Sequence, residues 1–552
     1  IAAVVETVRG DTALRRETRM AHLKDLREHL RLLEEQGKLV RVKRQINKDT
    51  ELMPFVRLQF RGLPEEERKG FLFENVVDVK GRKYGMPVAV GIVAGSREIY
   101  AMGMGCRIED LREKWAQSLQ NQLTPRLVPT GPVHDVVIMG NDLYKDGNGI
   151  EKIPVPISTP GFDNAPYTTA THWMTKDLET GIRNVGNYRS QVKAKDRLGI
   201  FVSPTQHIYI HWDKARKKGV PLEAALVMGG APAIAFAAAA KMPYGVDELA
   251  VSGAMIGEPL EVVKCKTIDM EVPAHAEIVI EGEMDTEFLE PEAPFGEFGG
   301  YMGDRVLNPF VKVKCVTHRR DAIYHAIISQ MPPSESSKIR QIAHEGVYYK
   351  FLKYDCNIPT ISDVAFHESS GSWNYVVVQM DKTNLGQPWQ ALNAAAAFDV
   401  AIGKIFIVVD GDIDARDADS VNWALSFRMM PHRDTRITMG KGAALDHSSA
   451  PLGALTHEES IFPSIQGTSA ILIDATRKWP YPPVSLPRRD FMENALELWE
   501  AEGLPKLKLK MPWYGYNLGY WSDEFTQEAE LALKGEHYKT GEKLTKLRKR
   551  VR

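Results

Sequence analysis

Phe310-Val-Lys-Val-Lys-Cys-Val-Thr-His318 is an apolar, β-branched run that reads as a strand. Four earlier runs, Val185 to Val192, Gly199 to Trp212, Glu261 to Lys266 and Ala276 to Gly282, read the same way. Between them only Ala231 to Lys241 has a helical composition, with Pro232 placed where a first helical turn tolerates proline. Many strands with one helix predict a mostly antiparallel barrel or sandwich in the middle of the chain.

Working outward, Leu23, Leu26, Leu30 and Leu33 recur at spacings of three to four and predict an amphipathic helix ending at Gly37. Lys38 to Val42, Phe71 to Val77 and Met86 to Val93 then read as strands. Residues 1–135 are therefore expected to form an N-terminal α/β domain, with prolines and glycines crowding the boundary between Pro125 and Pro160. On the other side, helical stretches at Ser337 to Tyr354, Trp389 to Phe398 and Ser420 to Phe427 alternate with apolar strands at Ile405 to Val409 and Ala470 to Ile473. That alternation predicts a C-terminal α/β domain over 331–552, leaving 136–330 for the β-rich domain. The fold class is thus multidomain α/β. The last 19 residues carry eight Lys or Arg against two Glu and read as a solvated basic tail or a contact with a second subunit.

Composition narrows the function. Of 552 residues, 43% are hydrophobic and 26% charged, too apolar for a disordered chain. The net charge of −2 supplies no positive field for nucleic acid or an anionic membrane, so small-molecule chemistry is the expectation. Cys106, Cys265, Cys315 and Cys356 are scattered without a C-x-x-C pair, which argues against a disulfide framework or a thiolate zinc site. The longest apolar run, Ala231 to Ala240, is about half a membrane span. A charged N-terminus without an apolar signal core adds to the expectation of a cytoplasmic protein.

Two clusters could carry chemistry. In Glu290-Pro-Glu-Ala-Pro-Phe-Gly-Glu-Phe-Gly-Gly-Tyr301, prolines and glycines forbid a helix, so Glu292 and Glu297 sit on a tight loop beside Phe295 and Phe298. Apolar surroundings tend to raise a carboxyl pKa and suit it to proton donation. A solvated turn is the competing reading. Upstream, His207 and His211 would share one face of a strand, while Asn184 and Arg189 lie an odd five apart and reach one site only if the strand bulges, which Gly186 permits. With Glu248, the set Asn, His and Glu offers mixed oxygen and nitrogen ligands to Mn2+ or Mg2+. Asp410, Asp412 and Asp414 only imitate a calcium loop, since Ala415 and Val421 stand where glycine and glutamate are needed. No dinucleotide fingerprint or P-loop occurs.

Several separated motifs, taken in order, resemble the UbiD-like (de)carboxylases that use prenylated flavin mononucleotide. They are Asp25-Leu-Arg-Glu-His-Leu-Arg-Leu-Leu-Glu-Glu-Gln-Gly37, Leu72-Phe-Glu-Asn75, Ala101-Met-Gly-Met-Gly105, Glu261-Val-Val-Lys-Cys265, Glu292-Ala-Pro-Phe-Gly-Glu297 and Lys478-Trp-Pro480. The resemblance implies that the central domain is a flavin-reductase-like split barrel. It implies Arg189, Glu292 and Glu297 as the catalytic set, and Asn184, His207 and Glu248 as ligands of a Mn2+ or Mg2+ ion that holds the flavin phosphate, with K+ nearby. By the same resemblance Arg189, Gln206 and Met242 join the metal ligands as cofactor contacts. It also implies a cofactor supplied by a flavin prenyltransferase and a homo-oligomer, dimer or hexamer, built through the third domain. The expected substrate is an aromatic acid or its CoA thioester, as in the phthaloyl-CoA decarboxylases. A noncatalytic flavin-binding or cofactor-maturation subunit is the alternative, and a two-carboxylate glycosidase ranks last. Many relatives read Gly where this chain has Ala293, and some carry a lysine where it has Ser469 or Ala470. Beyond the shorter relatives lie Lys506-Leu-Lys-Leu-Lys510 and then Trp513, Tyr514, Tyr516, Tyr520 and Trp521, a composition that could hold a phosphate-bearing, stackable group such as the CoA nucleotide.

Overall fold

The computed structural model describes residues 23–441, 445–449 and 468–550. The predicted first helix runs Leu26–Glu35, with Asp25 as its N-cap accepting the Glu28 N–H at 2.9 Å. Gly37 follows it in the left-handed region at φ 66°. Leu26, Leu30 and Leu33 face inward, as their spacing requires.

Behind that helix lies a four-stranded sheet in the order Leu39–Val42, Gly70–Phe73, Val88–Val90, Tyr324–Ala326. Its last strand is borrowed from far along the chain and lies parallel to Val88–Val90, with Tyr324 opposite Val88. The expected single strand over Phe71 to Val77 is two strands: Val76–Val77 leaves for a small sheet with Ile46–Asn47 and Lys83–Tyr84.

The central region is one curled antiparallel sheet. Its strands run in the order Arg183–Asn187, His172–Lys176, Leu222–Met228, Ile278–Met284, Phe310–His318, Arg197–Ile200, Ser190–Ala194, Tyr167–Thr168, with Val136–Met139 also paired to Phe310–His318. The two ends of this order are neighbours in sequence. Thr168 reaches His172, and Asn187 reaches Ser190, across linkers of two or three residues that span roughly 10 Å. The sheet must therefore roll up until its edges nearly meet, which makes it a split barrel. Thr171 Oγ1 donates to Tyr188 O at 2.7 Å and Trp173 Nε1 to Ser190 Oγ at 2.8 Å, stitching that seam. Inward residues such as Trp173, Leu226, Ile280 and Val311 join the adjoining sheet in one core.

Two expectations over this region are corrected. Val185 to Val192 is not one strand, because the chain leaves one edge of the sheet at Asn187 and enters the opposite end, one strand in from its edge, at Ser190. Gly199 to Trp212 is a strand only to Ile200. His207–Lys218 is a helix that buries Ile208, His211, Trp212 and Ala215 at three-to-four spacing and ends at left-handed Gly219. The alternation of Ile208 and Ile210 imitates a strand over a stretch too short to reveal its true period.

The C-terminal region holds a five-stranded sheet in the order Ile361–Phe366, Tyr375–Met380, Ile405–Asp410, Ser469–Ala475, Thr435–Met439, parallel in its centre and antiparallel at both edges. Helix Glu335–Lys350 is buried nearly all round and joins this sheet to the barrel. The Asp410 and Asp412 carboxylates clamp the buried Arg428, so that acidic stretch works as an ion-pair hub. Helices Arg489–Ala501, Asp523–Leu533 and His537–Thr545 follow, none with a buried residue. Among the described residues no helix is long and apolar enough to cross a membrane.

Candidate active site

Arg189 occupies the two-residue crossing of the barrel seam, after Tyr188. This resolves the odd spacing from Asn184: the ladder breaks between them, so both residues line one cavity without a bulged strand. Gly186 contributes by what it lacks, since a Cβ there would run into the Tyr188 ring. Tyr188 Oη in turn accepts a long 3.4 Å hydrogen bond from Asn184 Nδ2.

Glu290–Glu292 pairs with Val306–Asn308 as a short hairpin, and the predicted loop connects the two strands. Asp163 accepts the Gly296 N–H at 3.1 Å and the Thr159 N–H at 2.6 Å, which pins the loop against the barrel. Ala293 sits at φ 83°, the left-handed region that favours glycine. It is held there by its N–H to Tyr167 Oη at 3.2 Å and by Asn164 Nδ2 donating to its carbonyl at 2.9 Å.

The loop delivers both glutamates to the arginine. Arg189 donates from Nε and Nη2 to the two oxygens of Glu292, at 3.0 and 2.8 Å, and from Nη1 to Glu297. Its guanidinium lies 4.3 Å from the Phe201 ring centre and 5.3 Å from that of Phe295. Glu292 is fully buried and Glu297 nearly so, which rules out the solvated turn. Removing one partner from so dry a pair costs about 3–5 kcal/mol, so the arrangement is rigid. Two carboxylates meet one cation, and Glu297, which lines the cavity, is the one placed to exchange a proton with a group there. The sugar-cleft reading fails, because the guanidinium fills the space a saccharide would need between the carboxylates.

Burial beside Glu292 pushes the Tyr167 hydroxyl well above the ordinary tyrosine range. Gly303 packs directly on the Glu297 side chain, where an added Cβ would lie 2.7 Å from its Oε1.

Asn184, His207 and Glu248 line the same cavity as Arg189 and Glu297, together with Gln206 and Met242. Glu248 begins helix Glu248–Ile256, is 5% exposed, and accepts the Val185 N–H at 2.9 Å. No cation pairs with it among the described residues, and burial pushes its carboxyl up to about 8. His207 is held below its ordinary range by burial and by Lys241. A dry carboxylate without a countercharge among the described residues, lining one cavity with an amide and an imidazole, fits a hard divalent cation. His211, which sequence grouped with His207, lies one helical turn on and touches the same Tyr244 ring, yet it does not line the cavity: its Nδ1 meets Thr175 Oγ1 at 2.8 Å and burial holds it down at about 4.

The opposite wall was not foreseen. Helix Glu335–Lys350 contributes Ser336, Ile339 and Arg340, and Trp373 adds a ring. The sequence carries no plain signal for it, since the helix is buried on nearly every face although it opens Glu335-Ser-Ser-Lys338 and carries Arg340 and Glu345. The aromatic and lysine residues of 506–521 do not line the cavity: Lys508 pairs with Glu66, Lys510 with Asp419, and Tyr516 donates to Asp412 at 2.6 Å.

Three sequence signatures of 3-octaprenyl-4-hydroxybenzoate carboxy-lyase match in order: the N-terminal domain over residues 30–119, the Rift-related domain over 128–332 and the C-terminal domain over 339–475. The chain is 31% identical over 450 residues to the phenolic acid decarboxylase of Bacillus subtilis, covering 79% of this chain and 91% of that one. It superimposes with a TM-score of 0.73 on the UbiD-class enzyme HmfF from Pelotomaculum thermopropionicum in complex with prFMN, at 32% identity, covering 86% of this chain and 100% of that one. The closed form of Sedimentibacter hydroxybenzoicus vanillic acid decarboxylase gives a TM-score of 0.73 at 26% identity, with 87% and 99% covered.

Proposed function

Because the chain belongs to the UbiD family of carboxy-lyases, we propose that it is a prenylated-FMN-dependent, reversible decarboxylase of an aromatic carboxylic acid. The observation that carries this reading is one cavity lined by an amide, an imidazole and a buried carboxylate together with an arginine paired to two buried glutamates.

Asn184, His207 and Glu248 would hold Mn2+ or Mg2+, and that ion, with K+ nearby, would clamp the flavin phosphate. Gln206 and Met242 border the same space. When bound, the prenylated flavin supplies an electron sink for the charge left on the ring carbon as CO2 departs. Arg189 orients the substrate carboxylate, and Glu292 keeps the guanidinium aimed. The Glu297 carboxyl gives its proton to the carbon that loses CO2 and recovers one in the carboxylation direction. Phe295 and Phe298 line the space and limit water.

In the cell we place the enzyme in the cytoplasm as a homo-oligomer loaded by a flavin prenyltransferase. The exposed Lys506, Lys508 and Lys510, with the exposed rings of Tyr520 and Trp521, give a second substrate reading, an aryl-CoA thioester whose nucleotide rests on the C-terminal extension.

The test is co-expression with a flavin prenyltransferase, mass spectrometry of the released cofactor, metal analysis, and CO2 release from aromatic acids and their CoA thioesters. Prenylated FMN with one Mn2+ or Mg2+ per chain and CO2 release are expected. A folded chain with neither would make it a noncatalytic flavin-binding or cofactor-maturation subunit. A thioester preference that survives removal of 504–552 would end the role given to the extension.

A further inference from the structure

Helix Glu335–Lys350 carries several charges into the protein interior, and among the described residues each finds its complement except one. Lys338 meets Glu65 at 2.6 Å and Glu368 at 3.0 Å. Glu345 meets Arg97 at 2.7 Å and Arg416 at 3.0 Å. The Glu335 carboxylate accepts backbone N–H groups of Gly91, Val93 and Ala94 at 2.8 to 3.2 Å. Arg340 has no carboxylate among the described residues.

Its Nε donates to Ser336 O at 3.0 Å and its Nη2 to Ser336 Oγ at 3.2 Å, and Nη1 has no hydrogen-bond partner among the described residues. The guanidinium lies 4.0 Å from the Phe298 ring centre and lines the cavity that Arg189 and Glu297 also line. Burial alone pushes it down to about 10. Arg57 shows how the fold satisfies such a group when the role is structural: it donates to the carbonyls of Met331 and Pro333 at 2.9 and 3.1 Å, to Ser329 O and to the Gln330 side chain.

A guanidinium kept deep in a protein, stacked on an aromatic face and left open on one edge toward a cavity, is a receptor for an oxyanion. Arg189 cannot supply a second such seat, because three of its five N–H donors go to Glu292 and Glu297 and the two that remain are enough for one carboxylate only. Phe298 directly follows Glu297, so a ring seated against it could present one carboxylate to Arg189 and Glu297 and another acidic group to Arg340. We propose that Arg340 is the specificity-determining residue for a second anionic group, so that the substrate is an aromatic acid bearing a further carboxylate. This rests on the decarboxylase reading above. The same oxyanion chemistry could also come from the cofactor phosphate, and the experiment separates the two.

The full-length chain loaded with prenylated FMN is compared with Arg340→Met and Arg340→Gln. Three quantities are measured: the dissociation constants of benzoate, isophthalate and terephthalate from the change in flavin absorbance, CO2 release from each, and cofactor per chain. The wild type is expected to prefer a diacid, and both variants are expected to lose that preference by about ten- to a hundredfold, the worth of a charge-assisted hydrogen-bond pair. Their cofactor content is expected to be unchanged. A wild type indifferent to the second carboxylate, or a preference untouched in the variants, overturns the proposal. So does cofactor loss in both variants, which assigns Arg340 to the phosphate, or failure of both to fold, which makes its role structural. Diacid-selective binding that depends on Arg340, with no CO2 released from any acid, would uphold this seat and sink the decarboxylase reading instead.

Discussion

The two walls of the cavity are built on opposite principles. On the barrel side, every donor nitrogen of Arg189 is taken by Glu292 or Glu297, and two aromatic rings flank its faces. On the helix side, Arg340 stacks on Phe298 just as closely, with one nitrogen left over among the described residues. A cation already held by two carboxylates has its geometry fixed before a ligand arrives and offers that ligand only its two spare hydrogens, which suits chemistry. An unsaturated one gains most from the ligand that completes it, which suits selection. The difference suggests that this fold keeps reaction and recognition on separate elements, so that one can change without the other.

Glu297→Gln attacks the first wall alone. It keeps the shape and removes the transferable proton, so turnover of every substrate is expected to fall by about a hundred- to ten-thousandfold. The order of preference among bound acids should stay as it was, as read by equilibrium titration; a reshuffled order would mean that the walls are not independent.

A subtler probe is the pH dependence at Glu248. Its folded value of about 8 lies above the ordinary glutamate value, so between roughly pH 4.5 and 8 the unfolded chain releases the proton while the folded chain retains it. In the metal-free protein this contribution to stability is present at low pH and declines as pH rises through that window. Mn2+ must displace the same proton, so its affinity is expected to rise by up to about tenfold per pH unit on approaching 8. Calorimetric titration of wild type and Glu248→Gln checks this: a slope that persists in the variant would remove Glu248 from the donor set.

The smallest effect belongs to the loop. Ala293 is held at positive φ, where a Cβ costs about 1–2 kcal/mol, while glycine returns part of that through a freer unfolded chain. Ala293→Gly should raise stability by no more than about 1 kcal/mol in denaturant titration, with turnover nearly preserved. A large change in turnover would show that the strain itself positions Glu297.

What the sequence disclosed follows from range. Leu26, Leu30 and Leu33 disclose their helix because the pattern and the packing share one local period. The loop of Glu292 and Glu297 was legible because proline and glycine forbid the alternatives locally. The seam at Tyr188 and Arg189 was not, since it depends on which strands lie at the two ends of the rolled sheet. Nor was the helix His207–Lys218, whose start borrows the alternation of a strand. Arg340 escaped because a charge without a carboxylate among the described residues shows itself only once the surrounding elements are in place.

The strand Tyr324–Ala326 sets the timetable of the molecule's making. The sheet to which it belongs is begun within the first ninety residues, yet its final member emerges roughly 230 residues later. At about 5–20 residues per second, the edge of Val88–Val90 waits roughly ten to fifty seconds on the ribosome before its neighbour exists. An open edge is a template for pairing with any passing strand. The nascent N-terminal third therefore depends on guardianship while the barrel is synthesised, and when the strand docks, it fastens both regions in one step.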